Sequence, residues 1–166
     1  MSKTERILSI YRMFRFELDE VSMLELHKNL PGHKRTFSRD IALLKRAGVP
    51  IRFSRSRKAF VLTDETGNEL RHSRYRAEPE FPESKKERQF LEKIIRLITM
   101  MDNFPDKDCD VWYRETFPQA SKRTMQRDFA VLKAVGWLIY YKREWDDPDD
   151  KSDDEPPGHY YCEAYN

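Results

Sequence analysis

The sequence predicts a mainly α-helical fold with small β-hairpins, an α+β class, built from two tandem copies of one unit. Three observations predict it: an internal repeat, apolar residues at helical spacing, and a pair of extended segments after a glycine in each copy. The length of 166 residues leaves room for two small units, each of which would be only marginally stable alone.

The internal repeat predicts the domain organisation. The segment HKRTFSRDIALLKRAGVPIRF, which starts at His33, aligns without a gap with SKRTMQRDFAVLKAVGWLIYY, which starts at Ser121. The two segments share Lys-Arg-Thr, Arg-Asp, Ala, Leu-Lys, Gly and Ile in register. We therefore expect copy 1 at residues 1–64, a polar linker at 65–83 and copy 2 at 84–166.

Helix starts are marked by capping boxes, in which a serine and a glutamate three residues later bond each other's backbone amides. Such boxes begin the first and second helices of copy 1 and the first helix of copy 2, at Ser2–Glu5, Ser22–Glu25 and Ser84–Glu87. The second helix of copy 2 is expected to start near Asp108 or Asp110, since either carboxylate could cap it.

The third helix of each copy lies in the repeated segment. Apolar residues at i, i+4 and i+7 predict one buried stripe per helix, formed by Phe37, Ile41 and Leu44 and by Met125, Phe129 and Leu132. We expect these helices at 34–47 and 122–135. Gly48 and Gly136 should follow them, where a positive φ ends a helix.

A hairpin is predicted after each third helix. In copy 1, residues 51–53 and 59–62 are extended and flank a polar tip at 54–58. In copy 2, residues 138–142 should pair with about 159–163 across a longer acidic loop at 144–158, which its charge density and prolines predict to be disordered. Three helices followed by a hairpin predict a winged helix-turn-helix unit in each copy.

The repeated segment resembles a known family. The run from Arg35 to Ile41, continued through Ala47-Gly48-Val49-Pro50-Ile51, is similar to the N-terminal DNA-binding domains of DeoR-like and WYL-type bacterial transcription regulators. Residues 123–129 and Gly136 repeat the pattern. The resemblance implies sequence-specific binding of double-stranded DNA by the third helix. The family usually adds a C-terminal sensor domain, for which we expect no counterpart in residues 1–166, and it usually has a capping serine where His33 stands.

The distribution of charge supports that expectation. The whole chain carries 31 basic and 29 acidic residues, a formal charge of +2. Residues 31–64 nevertheless contain nine Lys and Arg against two Asp, whereas residues 144–155 contain eight acids and one Lys. A local positive field attracts phosphates and the acidic run repels them. The acidic run is equally compatible with a solvated surface.

The expected roles of the DNA-binding residues follow from their positions. Side chains at the start of the third helix of copy 1 should meet base edges, and these are Lys34, Arg35 and Ser38. Later cations on the same helix should contact phosphates, and these are Arg39, Lys45 and Arg46. The tip of the hairpin should contact the minor groove or the backbone through Arg55, Arg57 and Lys58. Copy 2 offers Lys122, Arg123, Gln126 and Arg127, although its acidic wing makes it the weaker candidate.

Two adjacent positions of the repeat, an arginine and the aspartate after it, also have a structural interpretation. Arg39 and Arg127 each precede an aspartate, Asp40 or Asp128, and an arginine or aspartate in that position can brace the fold. We expect the bracing role for the two aspartates rather than for the arginines.

Other functions find little support in the sequence. His27, His33, His72 and His159 are scattered, no phosphate-binding loop or nucleophile motif occurs, and neither an enzyme nor a metal or cofactor is expected. Cys109 and Cys162 form no redox motif. No apolar run is long enough for a membrane span and no signal peptide is evident, which predicts a cytoplasmic, nucleoid-associated protein.

Two alternatives remain open at this stage. Winged helices also serve as protein-interaction modules, and the acidic stretch at 144–155 would suit docking to a basic protein partner. Binding to structured RNA is a weaker alternative, because it would need contacts to 2′-hydroxyls that the sequence does not indicate. The sequence also leaves open whether the chain forms a homodimer.

Overall fold

The structure is a computed structural model that describes residues 1–144 and 157–164. Those residues form six α-helices and two separate two-stranded antiparallel sheets, which confirms the α+β class. The helices are α1 (Lys3–Arg12), α2 (Met23–Asn29), α3 (Lys34–Arg46), α4 (Lys85–Asn103), α5 (Cys109–Thr116) and α6 (Lys122–Ala134). The strands are β1 (Ile51–Ser54), β2 (Ala59–Leu62), β3 (Trp137–Arg143) and β4 (Gly158–Ala164). Most of the predicted acidic loop at 144–158 lies outside the described residues.

The chain divides into two compact units, an N-terminal unit of Met1–Ile98 and a C-terminal unit of Thr99–Asn166. The N-terminal unit thus contains copy 1, the expected linker at 65–83 and the first part of α4.

The first two helices of the N-terminal unit begin at the predicted capping boxes. The Ser2 hydroxyl accepts from the Glu5 amide while the Glu5 carboxylate accepts from the Ser2 amide, and Ser22 and Glu25 do the same. After Arg12, α1 continues into one π-helical turn at Met13–Glu17. Ile7, Tyr11 and Phe14 from this continuous segment are buried in the core.

The third helix and the hairpin of the N-terminal unit occur where they were expected. Helix α3 buries Phe37, Ile41 and Leu44, and Gly48 follows it with a φ of 91°. His33 precedes the helix without a side-chain cap, as expected at a position where serine is usual. Strands β1 and β2 pair with Ile51 opposite Leu62.

The expected linker is bonded to the rest of the N-terminal unit. The Ala77 amide donates to the Gly48 carbonyl over 2.8 Å, and the Glu80 amide donates to the Arg46 carbonyl over 2.8 Å. The buried Arg15 donates to the His72 carbonyl, also over 2.8 Å. We call residues 71–82 the strap, because they connect the hairpin side of the unit to α4 while bonding to the end of α3.

In the C-terminal unit, α5, α6 and the hairpin of β3 and β4 follow one another in the same order as α2, α3 and the hairpin of the N-terminal unit. Helix α6 also starts as expected. The Ser121 hydroxyl caps α6 by accepting from the Thr124 amide, and Gly136 follows the helix with a φ of 100°. Strands β3 and β4 pair from Trp137 opposite Ala164 to Arg143 opposite Gly158, which confirms the predicted partner segments.

One predicted cap in the C-terminal unit is wrong. Helix α5 begins at Cys109 after Asp108, as expected, but the Asp108 side chain caps no amide. Its carboxylate lies 2.6 Å from Nδ1 of His159 on β4 instead, and its backbone has a φ of 56°. A long-range partner therefore takes the carboxylate that local sequence assigned to the helix start. Asp110 lies in the first turn and pairs with Arg114.

Candidate nucleic-acid interface

Helix α3 separates a buried face from an exposed basic face. Phe37, Ile41 and Leu44 are buried on one side of the helix, together with Asp40, and the opposite side faces solvent. All the α3 side chains expected to contact DNA are exposed, namely Lys34, Arg35, Ser38, Arg39, Lys45 and Arg46. Burial of Arg35 or Ser38 would have excluded a recognition role for this helix.

The cations of α3 are electrostatically uncompensated. Within residues 1–144 and 157–164, none of Lys34, Arg35, Arg39, Lys45 and Arg46 forms an ion pair, whereas arginines elsewhere in the same unit do. A charge that has no internal partner keeps its full attraction for an external anion. The exposed face of α3 is therefore suited to a phosphate-rich ligand.

The one acid of α3 points the other way. Asp40 is 1% exposed, and its carboxylate lies 2.6 Å from Nε of Arg6 on α1. This pair braces α3 against α1 and removes the negative charge from the exposed face. Asp128 of α6 is equally buried, but it accepts a 2.7 Å hydrogen bond from the Tyr113 hydroxyl. The bracing role expected for both aspartates agrees with these contacts.

The three cations of the copy 1 hairpin tip differ in their partners. Arg57 pairs with Glu20 over 3.2 Å and with Glu69 over 3.1 Å, so it already tethers the hairpin within its own unit. Arg55 and Lys58 are exposed and have no ion pair among the described residues. Lys58 adopts a φ of 54°, which turns the chain back toward β2. Arg55 and Lys58 are thus the tip residues available to a ligand.

Helix α6 presents the corresponding face of the repeat in the C-terminal unit. Its buried stripe is Met125, Phe129 and Leu132, as predicted. Lys122, Arg123, Gln126 and Arg127 are all exposed, and none has an ion pair in the part of the chain that the structure describes. The wing expected beside this helix has an acidic tip at 145–156, which lies outside the described residues.

Sequence reasoning missed the partners that define these faces. Arg6 carries no motif that links it to Asp40, and Tyr113 none that links it to Asp128. It also passed over Lys86 and Lys93, which share one stripe of α4 at i and i+7. That spacing on a helix start rich in lysine was the available signal.

The described residues offer no feature of two other classes of site. No three His, Cys, Asp or Glu side chains among them converge to hold a metal ion. Among the same residues, no helix combines the length and the apolar character needed to cross a bilayer.

Comparison with known proteins returned nothing: no family model matches the chain, and neither does any curated protein or solved structure.

Proposed function

We propose that this protein is a sequence-specific DNA-binding protein, a bacterial transcription regulator made of two winged helix-turn-helix units. In this proposal it is cytoplasmic and nucleoid-associated, and it reads the major groove of double-stranded DNA with α3 and with α6. The observation that carries the proposal is the exposed face of α3, whose five cations form no ion pair among the residues that the structure describes. The expected absence of catalytic activity belongs to the same proposal.

The geometry of α3 supports a division of labour along the helix. The N-terminal residues of a recognition helix meet base edges, and Lys34, Arg35 and Ser38 lie within the first five positions of α3. An arginine there can bond guanine O6 and N7 together, which discriminates by about 1–3 kcal/mol against a wrong base. Arg39, Lys45 and Arg46 lie further along, where contacts to phosphates fix the register without reading sequence.

The experiment is a selection of bound fragments from random double-stranded DNA, followed by affinity measurements over a range of salt concentrations. The logarithm of the binding constant should fall linearly with the logarithm of the salt concentration, because contacts to phosphates release counterions. A symmetric selected site would indicate that two copies of a unit, within one chain or in a homodimer, occupy two half-sites.

Two substitutions test the assigned roles. Arg35→Ala should weaken binding to the selected site by about 1–3 kcal/mol and relax preference at one base position. Arg55→Ala should weaken binding to all sequences and lower the salt slope by about one. Arg114→Ala and Arg57→Ala are the matched controls, because both of those arginines are already paired within the chain. If Arg35→Ala keeps both the affinity and the base preference of the original protein, the proposed role of α3 is contradicted.

The alternative function is a protein-interaction module that docks to a basic partner through the acidic stretch at 144–155. Most of that stretch lies outside the described residues, so no contact of the structure favours it. The same experiment separates the two functions: absence of salt-dependent binding to any DNA fragment would favour the interaction module.

A further inference from the structure

A groove of about 890 Å³ lies beside α3 in the N-terminal unit. One wall is the stripe of α3 that carries Arg39, Ala42, Leu43 and Arg46, at i, i+3, i+4 and i+7. Arg35 lies on the same stripe one turn before Arg39, outside the groove. The opposite wall is the start of α4, and nothing in the described chain fills the space between the two walls.

The groove has a mainly apolar lining. From α3 it takes Ala42 and Leu43, and from the strap and α4 it takes Pro82, Phe90 and Leu91. Leu43 and Phe90 are only partly buried by their own unit. Covering an apolar surface of a concave site with a partner is favourable, because it removes that surface from water.

The charged residues around this lining are nearly all basic. Lys3, Arg39, Arg46, Lys86 and Lys93 contribute cations, and Glu87 contributes the one acid. None of the five cations forms an ion pair within residues 1–144 and 157–164. The Lys3 ammonium lies 4.7 Å from the centre of the Phe90 ring, so it borders the apolar lining directly. An occupant must therefore be apolar on one side and acidic on its flanks.

The dimensions of the groove fit a helix. Its two walls each span about seven residues, which corresponds to roughly 10 Å of helix length. The volume of about 890 Å³ over that length gives a cross-section on the order of 90 Å². An α-helix with its side chains is about 10–12 Å across, which corresponds to a cross-section of roughly 80–110 Å². A single extended alkyl chain would leave most of this width empty.

We propose that this groove binds an acidic amphipathic α-helix of a partner protein, engaging about two turns of it. Apolar side chains at i, i+3 or i+4, and i+7 of that helix pack on Ala42, Leu43 and Phe90. Its carboxylates pair with the five cations, of which arginine gives the more directional contact. Binding is thus selected by amphipathic pattern as well as by charge.

A second consequence rests on the proposed DNA-binding function. Arg39 and Arg46 line the groove, and they are also the exposed α3 residues that we expect to contact phosphates. A partner helix that engages these two arginines competes with the DNA backbone for them. Partner binding and DNA binding therefore weaken each other, by the same factor in both directions.

The test uses the full chain and a fluorescent synthetic peptide of about fifteen residues, a length at which an isolated helix can form. The peptide carries leucines at helical spacing flanked by glutamates, and a scrambled peptide has the same composition without the spacing. Fluorescence anisotropy measures both affinities. The amphipathic peptide should bind at least about tenfold more tightly than the scrambled one, because only it presents a continuous apolar face.

Three variants locate the binding. Arg46→Glu and Ala42→Glu place acids at the groove and should each weaken peptide binding about tenfold or more, because like charges across an interface repel. Lys45→Glu makes the same change in charge one residue outside the groove and should weaken it no more than about threefold. All three positions are exposed, and circular dichroism checks that each variant folds.

Several outcomes would overturn the proposal. Equal binding of the scrambled peptide, or equal loss in Lys45→Glu and Arg46→Glu, would show general charge attraction rather than a groove. Binding of decanoate but not of the peptide would assign the site to a small amphiphilic anion. Peptide binding that leaves the affinity for a selected DNA fragment unchanged would overturn the competition. A failure to bind any DNA would overturn the proposed function and leave the peptide result standing.

Discussion

The same position of the repeat has a different partner in each copy, as Asp40 and Asp128 show. Asp40 meets a guanidinium from α1, whereas Asp128 meets a phenol hydroxyl from α5. Both acids are 1% exposed, so each needs a partner to offset the loss of hydration. The repeated Arg-Asp pair in the sequence therefore preserves a buried acceptor rather than one particular contact.

Replacing Asp40 should destabilise the N-terminal unit strongly. Asp40→Ala leaves the Arg6 guanidinium, which is largely buried, without the carboxylate that compensates it, and such losses cost about 3 kcal/mol or more. Asp110→Ala removes an exposed i,i+4 pair with Arg114 and should cost less than about 1 kcal/mol. Urea unfolding followed by circular dichroism measures both. Similar losses in the two variants would contradict a bracing role for Asp40.

Both the backbone conformation and a close neighbour disfavour a side chain at Gly48, and a substitution at Gly67 separates the two effects. Its φ of 91° disfavours any side chain, and a Cβ there would lie 2.3 Å from the Ala77 carbonyl oxygen of the strap. Gly67 has a similar φ of 85°, but a Cβ there would meet nothing within 4 Å. Gly67→Ala should therefore show the backbone cost alone, about 1–2 kcal/mol.

Gly48→Ala should show that same backbone cost and also displace the strap. We expect it to lose at least about 1 kcal/mol more than Gly67→Ala in the free energy of unfolding. Hydrogen exchange at the Ala77 amide should also accelerate, because that amide donates to the Gly48 carbonyl. Equal stability of the two variants would mean that the strap does not contribute to the unit.

At the scale of elements, α5 and β4 bury the two thiols of the C-terminal unit. Burial raises the pKa of Cys109 and of Cys162 to about 12, and the nearby Asp110 charge adds to the effect at Cys109. The unfolded chain has ordinary thiol pKa values near 8.5, so it loses these protons at lower pH than the folded unit. The stability that the thiols contribute is present below about pH 8.5 and is lost as pH rises toward 12.

We expect two results from this environment. At pH 8, a disulfide reagent that labels thiolates should leave both cysteines of the native protein unreacted and should label both in urea. The midpoint of urea unfolding of the C-terminal unit should fall as pH rises above about 9. Tryptophan fluorescence follows that unit, since all three tryptophans lie in it. Rapid labelling of the native protein would contradict the burial of α5 against β4.

The hairpin of the C-terminal unit carries the acidic stretch between its two strands. Since Arg143 and Gly158 are directly opposite each other, residues 146–155 can be replaced by a short Asn-Gly turn. This deletion removes seven of the eight acids at 144–155 and should raise the affinity for DNA at low salt, because that negative charge opposes the approach of phosphates. The gain in affinity should fade at high salt, where the screening length is shorter than the ~8 Å of physiological conditions.

A variant of full length with Asn and Gln in place of the seven acids at 146–155 is the matched control, and it should gain as much affinity as the deletion. Unchanged affinity at low salt would indicate a passive solvated segment. Lower affinity in both variants would mean that the acids assist binding.

For the whole molecule, the net charge of +2 says little about partners, because the basic and acidic stretches lie in different copies. The basic hairpin tip accompanies α3, whereas α6 is followed by the acidic stretch. The two units should therefore contribute unequally to DNA binding, although their third helices present similar residues.

Matched substitutions at equivalent repeat positions test this inequality. Arg35→Ala with Ser38→Ala changes α3, and Arg123→Ala with Gln126→Ala changes α6. We expect the α3 pair to cost about 2 kcal/mol or more in DNA affinity and the α6 pair about half of that. Affinity for one selected fragment, measured at fixed salt, decides the comparison. An equal or larger loss from the α6 pair would assign the main contact to the C-terminal unit.

The sequence by itself determined the elements of this protein. Apolar spacing placed the buried stripes of α3 and α6, serines with a glutamate three residues later placed two helix starts, and glycines placed the two helix ends. These features depend on residues within one or two turns of each other, so local sequence is enough to specify them. The exposed basic faces followed from the same spacing.

Only the tertiary structure decided which side chains meet across the chain. Arg6 with Asp40, Arg57 with Glu69, and the strap on Gly48 join segments that no local pattern connects. The carboxylate of Asp108 shows the limit of prediction from local sequence. It could have capped the start of α5, but in the folded unit it is bonded to His159 on β4. The groove beside α3 arises in the same way: its two walls are predictable separately, but the space between them exists only once the unit has folded.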